Sequence, residues 1–117
     1  MYNETVIKHF QHPAGVGKIE SADLIGQSGV RGQGYWLTVY VKLDGSRVLD
    51  AGFETYGCPA VIACGSMLVE SIRGKTLNQL REVTADSLAG QLGGLPLGKE
   101  HGPRIAAAAL ANALSKL

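Results

Sequence analysis

The chain has 117 residues, 45% of them apolar in type, and a formal net charge of +1. That length suits one compact domain over residues 1–117 and is too short for two ordinary ones, and the apolar share is enough for a core. With no basic stripe and few aromatics, nucleic acid is not an expected partner, and with no apolar run near the roughly 20 residues of a bilayer span, neither is a membrane.

In chain order, Asn3 can cap a first helix over Glu4–Gln11, whose apolar positions Val6, Ile7 and Phe10 recur at helical spacing. Pro13, Gly15 and Gly17 end it. His9 and His12 lie at its C-terminal end, where a cation suits the helix dipole, and both read as solvated. Ala22–Ile25 reads as a short strand. Gly26–Gly34, with five Gly or Ser residues, reads as a mobile loop. No Gly-Lys-Ser/Thr follows it, so a phosphate cradle is not expected. Residues 35–42 alternate, with Tyr35, Leu37, Val39 and Val41 on one side and Trp36, Thr38, Tyr40 and Lys42 on the other. That is the period of a half-buried strand. Asp44-Gly45-Ser46 is a turn, and Arg47–Thr55 returns as the next strand.

The chain then turns at Gly57 into a helix running from Pro59 to about Arg73. Proline is favoured at the first helical position, which makes Cys58 the N-cap, held extended by the proline that follows. The positive end of a helix suits negative charge there. A thiol at such a corner is a candidate for metal or sulfur chemistry, or simply a small capping residue. Cys64 shares one face with Val61, Leu68 and Ile72 and reads as core. Six residues advance a helix by about 600°, so Cys64 points about 120° away from Cys58. The two thiols are badly placed for a disulfide, and a reducing, cytoplasmic setting is expected. Gly74 ends the helix. Thr76 caps a short one over Leu77–Glu82, and Thr84 opens another that ends at Gly93-Gly94. An alanine-rich helix spans Arg104–Leu117, with Pro103 in its first turn. His101, just before it, is a candidate metal ligand or a plain loop histidine. Strands grouped together and followed by helices predict an α+β fold: a three-stranded antiparallel sheet packed by helices.

Several stretches stand in order at matching spacing: Val6-Ile7-Lys8-His9-Phe10 with His12-Pro13 and Gly15-Val16-Gly17; Asp50 through Cys58; Ala60, Ile62-Ala63 and Ser66; Glu70 with Gly74-Lys75-Thr76-Leu77; and Leu95-Pro96, Lys99 and His101. Together they resemble the NifU N-terminal/IscU family of iron–sulfur cluster assembly scaffolds over nearly the whole chain. The resemblance implies the same α+β fold and a scaffold role, not an enzyme. It also implies a cysteine desulfurase or a chaperone as partner, and a cluster held near one tip by three cysteines and an aspartate. The second of those cysteines matches Cys58. The first cysteine and the aspartate fall on Arg31 and Gln33, and the third cysteine falls on Gly102, after His101. The family's chaperone-recognised segment reads here as Leu95-Pro96-Leu97-Gly98-Lys99.

A [2Fe–2S] cluster takes four protein ligands, and zinc takes four, or three at an open site. One chain offers Cys58 and His101, with Cys64 as a third metal ligand only if the helix start rearranges. The expectation is therefore weak binding of an iron–sulfur cluster, iron or zinc, or ligands shared across a homodimer or with a partner. The alternative is an adaptor or sulfur-relay module that docks the desulfurase without holding a cluster, Cys58 carrying a persulfide. Arg31 is expected to bring positive charge near Cys58. A Cys58–His101 hydrolase would need a third, orienting group that the sequence does not show.

Overall fold

Three antiparallel strands in the order β1-β2-β3 form the centre of the computed structural model, which describes residues 1–117: β1 (Leu24–Ser28), β2 (Trp36–Asp44) and β3 (Arg47–Tyr56). One helix precedes them, α1 (Glu4–Gln11). Four follow: α2 (Pro59–Ile72), α3 (Leu77–Leu80), α4 (Ala85–Gln91) and α5 (His101–Leu114). This is the expected α+β arrangement. Alternation sets which face is covered. Leu37, Val39 and Val41 of β2 pair with Thr55, Phe53 and Ala51 of β3 and share the inner face, over which α2 and α5 lie. Each fully buried Leu, Val or Phe contributes about 1.5–3 kcal/mol. The side chains of this face, with Val61, Leu68 and Ile72 of α2 and Leu110 of α5, make up much of the core. No helix is long and apolar enough to cross a membrane.

Four expectations change. β1 is shifted to Leu24–Ser28, so Gly26, Gln27 and Ser28 are strand residues that pair with Val39, Thr38 and Leu37. Gly26 serves close approach and not a turn, since a Cβ there would collide with the backbone of α5 at Ala109 and Ala113. α1 buries Val6 and His9 and leaves Ile7 and Phe10 exposed. His9 is therefore not solvated: its Nδ1 lies 2.7 Å from the buried Ser66 Oγ. β2 is not half-buried, because Thr38 and Tyr40 on its outer face are also covered. Finally, α5 begins at His101, which is the first residue of the helix and not a loop residue ahead of it. Pro103 is tolerated in that first turn because its missing amide would have had no acceptor there.

Candidate functional site

At the end of β3 the chain turns so tightly that a Cβ on Gly57 would press on the side chain of Val61. Cys58 follows in extended geometry (φ −76°, ψ 173°). Its carbonyl accepts from the amides of Val61 at 2.9 Å and Ile62 at 3.1 Å, which starts α2. The expected N-cap position is thus observed, but the thiol makes no capping bond. Instead Cys58 Sγ lies 3.3 Å from His101 Nε2. The sequence-predicted candidates Cys58 and His101 are thereby brought together, from the first turns of two different helices. The pair is half-buried. The Tyr35 ring leans over His101, centroids 5.5 Å apart and tilted by 32°, and meets Tyr56 edge-on at 6.1 Å. Depending on where the proton sits, Nε2 accepts from the thiol or donates to the thiolate. No hydrogen bond orients the other ring nitrogen.

Just ahead of His101, the Glu100 carboxylate accepts from the Gly98 amide at 3.2 Å. The backbone amides of Glu100 and Gly98 hold this carboxyl below the usual carboxylate range. The bond closes the loop that delivers His101.

Cys64 does not join the pair. It is fully buried, and burial, reinforced by the nearby Cys58, pushes its thiol up to about 12. Its side chain packs within the hydrophobic core. At Gly102 the first turns of α2 and α5 meet backbone to backbone. A Cβ there would sit 3.0 Å from the Ala60 carbonyl oxygen and 3.2 Å from Cys64 Sγ.

Arg31 is engaged on the sheet. It folds over the outer face of the sheet, its guanidinium 4.0 Å above the Trp36 ring and 3.2 Å from Glu54 Oε1. It also donates to Thr38 Oγ1 at 3.3 Å, and no hydrogen bond joins it to Cys58. The Tyr40 hydroxyl donates to the same Glu54 oxygen at 2.6 Å. That bond first, and Arg31 second, hold the Glu54 carboxyl below its ordinary range. Burial, then Glu54, raise the Tyr40 phenol. No group of three or more His, Cys, Asp or Glu side chains is gathered anywhere that could hold a metal ion. One chain therefore brings two donors to the tip.

The sequence model of the NifU-like N terminal domain family matches residues 1–117. The chain belongs to that family. Among relatives of this NifU-like domain, the iron–sulfur cluster assembly scaffold protein IscU 1 of Archaeoglobus fulgidus is 44% identical over 114 residues, covering 97% of this chain and 74% of that protein. The scaffold protein IscU of Aquifex aeolicus is 37% identical over 102 residues, 86% of this chain and 65% of its own length. In fold, the domain is similar to an iron–sulfur cluster assembly scaffold protein for the SUF system from Fervidobacterium islandicum, with a TM-score of 0.69 at 22% identity over 97% of this chain and 96% of that one. It is also similar to a NifU-like N-terminal domain from Brucella abortus, with a TM-score of 0.63 at 19% identity over 93% and 77% of the two chains.

Tyr35, Tyr56 and Glu54 were not singled out from sequence. Alternation puts Tyr35 inside a strand, on the same side as Leu37, Val39 and Val41. It precedes β2 instead, and nothing local in the sequence signals its contact with His101.

Proposed function

We propose that this NifU-like domain is a scaffold-type component of iron–sulfur cluster assembly, its Cys58–His101 pair receiving cargo while further ligands come from outside the chain. The observation that carries this reading is the 3.3 Å approach of Cys58 Sγ to His101 Nε2 at one tip of a family fold. Iron, sulfide and cluster are cargo here. Four protein ligands hold a cluster, and a single chain supplies only two at this tip. The donor set does not fit a cluster held by one chain alone.

The relatives' names place them in cluster assembly, which supports a cysteine desulfurase or an assembly chaperone as partner. The Leu95–Lys99 segment is a suitable handle, with Leu97 fully exposed at 97%. Two unpaired cysteines suit a reducing, cytoplasmic setting. The role is that of a carrier and not a catalyst, because His101 lacks the orienting acceptor that a nucleophilic Cys–His site uses.

The same pair favours a second reading, sulfur relay. Cys58 thiolate attacks the outer sulfur of a desulfurase persulfide, forming a persulfide on Cys58 and releasing the desulfurase thiolate. The proton of the Cys58 thiol passes to His101. Anaerobic incubation with ferrous iron, cysteine and a desulfurase tests both. Iron and sulfide retained together with visible absorption, and lost in Cys58→Ser, are the expected result for the scaffold. Retention of neither overturns that role. A one-sulfur mass adduct confined to Cys58 then identifies the relay, and its absence removes the relay as well.

A further inference from the structure

We infer that residues 29–35 form a lid and that Arg31 is its latch, the guanidinium holding the loop shut on Glu54 and Trp36 while Tyr35 covers the His101 imidazole. Such a lid goes beyond the assembly reading, because it governs access to the Cys58–His101 pair whichever cargo arrives.

The loop is built to move. Gly29, Gly32 and Gly34 all have positive φ, at 79°, 89° and 89°. Gly29 is the fixed base, since a Cβ there would strike the Tyr35 carbonyl oxygen and the Trp36 backbone. A Cβ on Gly32 or Gly34 would meet nothing. Those two glycines therefore supply backbone freedom and not packing room. A cavity of about 320 Å³, lined by Gly32, Gly34, Trp36 and Tyr56, leaves this stretch unpacked against the sheet.

One side chain ties it down. The loop's own backbone makes a single turn bond, from the Gln33 amide to the Val30 carbonyl at 3.0 Å, and Gln27 donates to the Gly29 carbonyl at the base. Beyond that base, the hydrogen bonds from loop to sheet come from Arg31, to Glu54 Oε1 at 3.2 Å and Thr38 Oγ1 at 3.3 Å. Its guanidinium also lies over the Trp36 ring. Tyr40 fixes the Glu54 oxygen that Arg31 meets, so the latch closes on a rigid point. Arg31 and Glu54 are 49% and 37% exposed. An exposed ion pair with one cation–π contact is a weak hold that salt loosens further.

Tyr35 carries the consequence to the tip. It stands four residues after Arg31, with its ring 5.5 Å from that of His101 and edge-on to Tyr56. Tyr56 is the cross-strand partner of Trp36, which bears Arg31 on its face. A contiguous path thus runs from latch to imidazole. When Arg31 lets go, the loop keeps only its glycine-rich backbone and the Tyr35 ring contacts, and His101 is uncovered.

The test uses the whole reduced chain without metal. Trp36 is the single tryptophan, so its emission reports the stacked guanidinium. The His101 ring protons, assigned against His101→Gln, report Tyr35 through its ring current. Rising salt should shift both signals together, and Glu54→Gln should remove most of that response. Arg31→Ala should move the His101 resonances toward their positions in Tyr35→Ala. It should also speed alkylation of Cys58 by about fivefold, the order set by losing an exposed ion pair and a cation–π contact. Tyr35→Ala should give a similar acceleration with the latch intact, and the double variant should be no faster than Tyr35→Ala alone. Native circular dichroism and an unreactive Cys64 check that each variant is folded. Unmoved His101 resonances in a folded Arg31→Ala protein would overturn the lid. So would accelerations that multiply in the double variant, since latch and cover would then act independently. The iron and sulfide loading described above is read separately: its failure leaves these signals unchanged, and an immobile loop leaves the loading unchanged.

Discussion

Cys58 and Cys64 stand six positions apart yet are different chemical species. Cys58 is half-buried against an imidazole, whereas Cys64 is sealed in the core with its thiol pushed up to about 12. In the folded protein a thiol reagent at neutral pH should therefore modify Cys58 alone, with Cys64 reacting only after denaturation. Equal rates at both under native conditions would show that the burial is wrong. Helical spacing was enough to separate these two roles. The environment of Arg31 was not legible, for a specific reason. Counted back from the Asp44-Gly45-Ser46 turn, Thr38 would face Phe53. The register shift beyond Lys42 puts Glu54 there instead, on the outer face and within reach of Arg31. Alternation alone carries no sign of that bulge. Glu54 then sets a pH dependence. Its folded pKa is depressed, so its contribution to stability is present above the unfolded value of about 4.3 and is lost as pH falls through the folded one. Tyr40→Phe removes the main cause. Carboxyl NMR titration should show the Glu54 midpoint moving up. Neutral-pH stability should fall by about 1 kcal/mol, below the usual range for a hydrogen bond to a charged group because Glu54 is partly solvated. An unmoved midpoint would sink this account.

Among the elements, α5 and β1 approach so closely that their contact dictates composition. Alanines at 106, 109 and 113 face inward, and Gly26 leaves room for the α5 backbone. The alanine-rich helix was legible as one that packs close. What it packs against was not, because a glycine between Ile25 and Gln27 reads equally well as a loop. The distinction has a measurable consequence in two glycine substitutions. Gly26→Ala must push α5 backbone away and should cost about 1–3 kcal/mol, as overfilling a packed contact does. Gly90→Ala, in α4 with open space around it and no positive φ, should gain a few tenths to about 1 kcal/mol by restricting the unfolded chain. Thermal unfolding of the two variants should move in opposite directions. A Gly26→Ala protein as stable as the parent would mean that α5 sits further from the sheet.

Across the whole molecule, both edges of the sheet are closed by segments distant in sequence. On β1, Asn112 Oδ1 accepts from the Gln27 amide at 2.9 Å, and Lys116 donates to the Ile25 carbonyl. On β3, the strip around Val16 pairs with Phe53: the Gly17 amide donates to Phe53 at 2.8 Å, and the Phe53 amide donates to Gly15 at 2.9 Å. That strip is fixed to α2 through Ser66, which accepts from the Ala14 amide at 2.8 Å and meets His9 Nδ1 at 2.7 Å. With its single hydroxyl proton directed to Nδ1, Ser66 satisfies both partners when His9 carries its proton on Nε2. This network explains why His9 turns inward where sequence pattern put it in solvent: helix periodicity cannot show a polar partner in a helix far along the chain. Ser66→Ala removes the anchor and leaves the half-buried Ala14 amide and the buried His9 Nδ1 without their partner, at about 1–3 kcal/mol. The loss should be local before it is global. Hydrogen exchange should accelerate first at Gly17 and Phe53, whose bonds depend on the strip staying docked. The Val39 and Val41 amides of β2, central in the sheet and covered on both faces, should exchange only through global unfolding. If Gly17 and Val39 accelerate by the same factor, the N-terminal strip does not open as a separate unit, and Ser66 stabilises the molecule only as a whole.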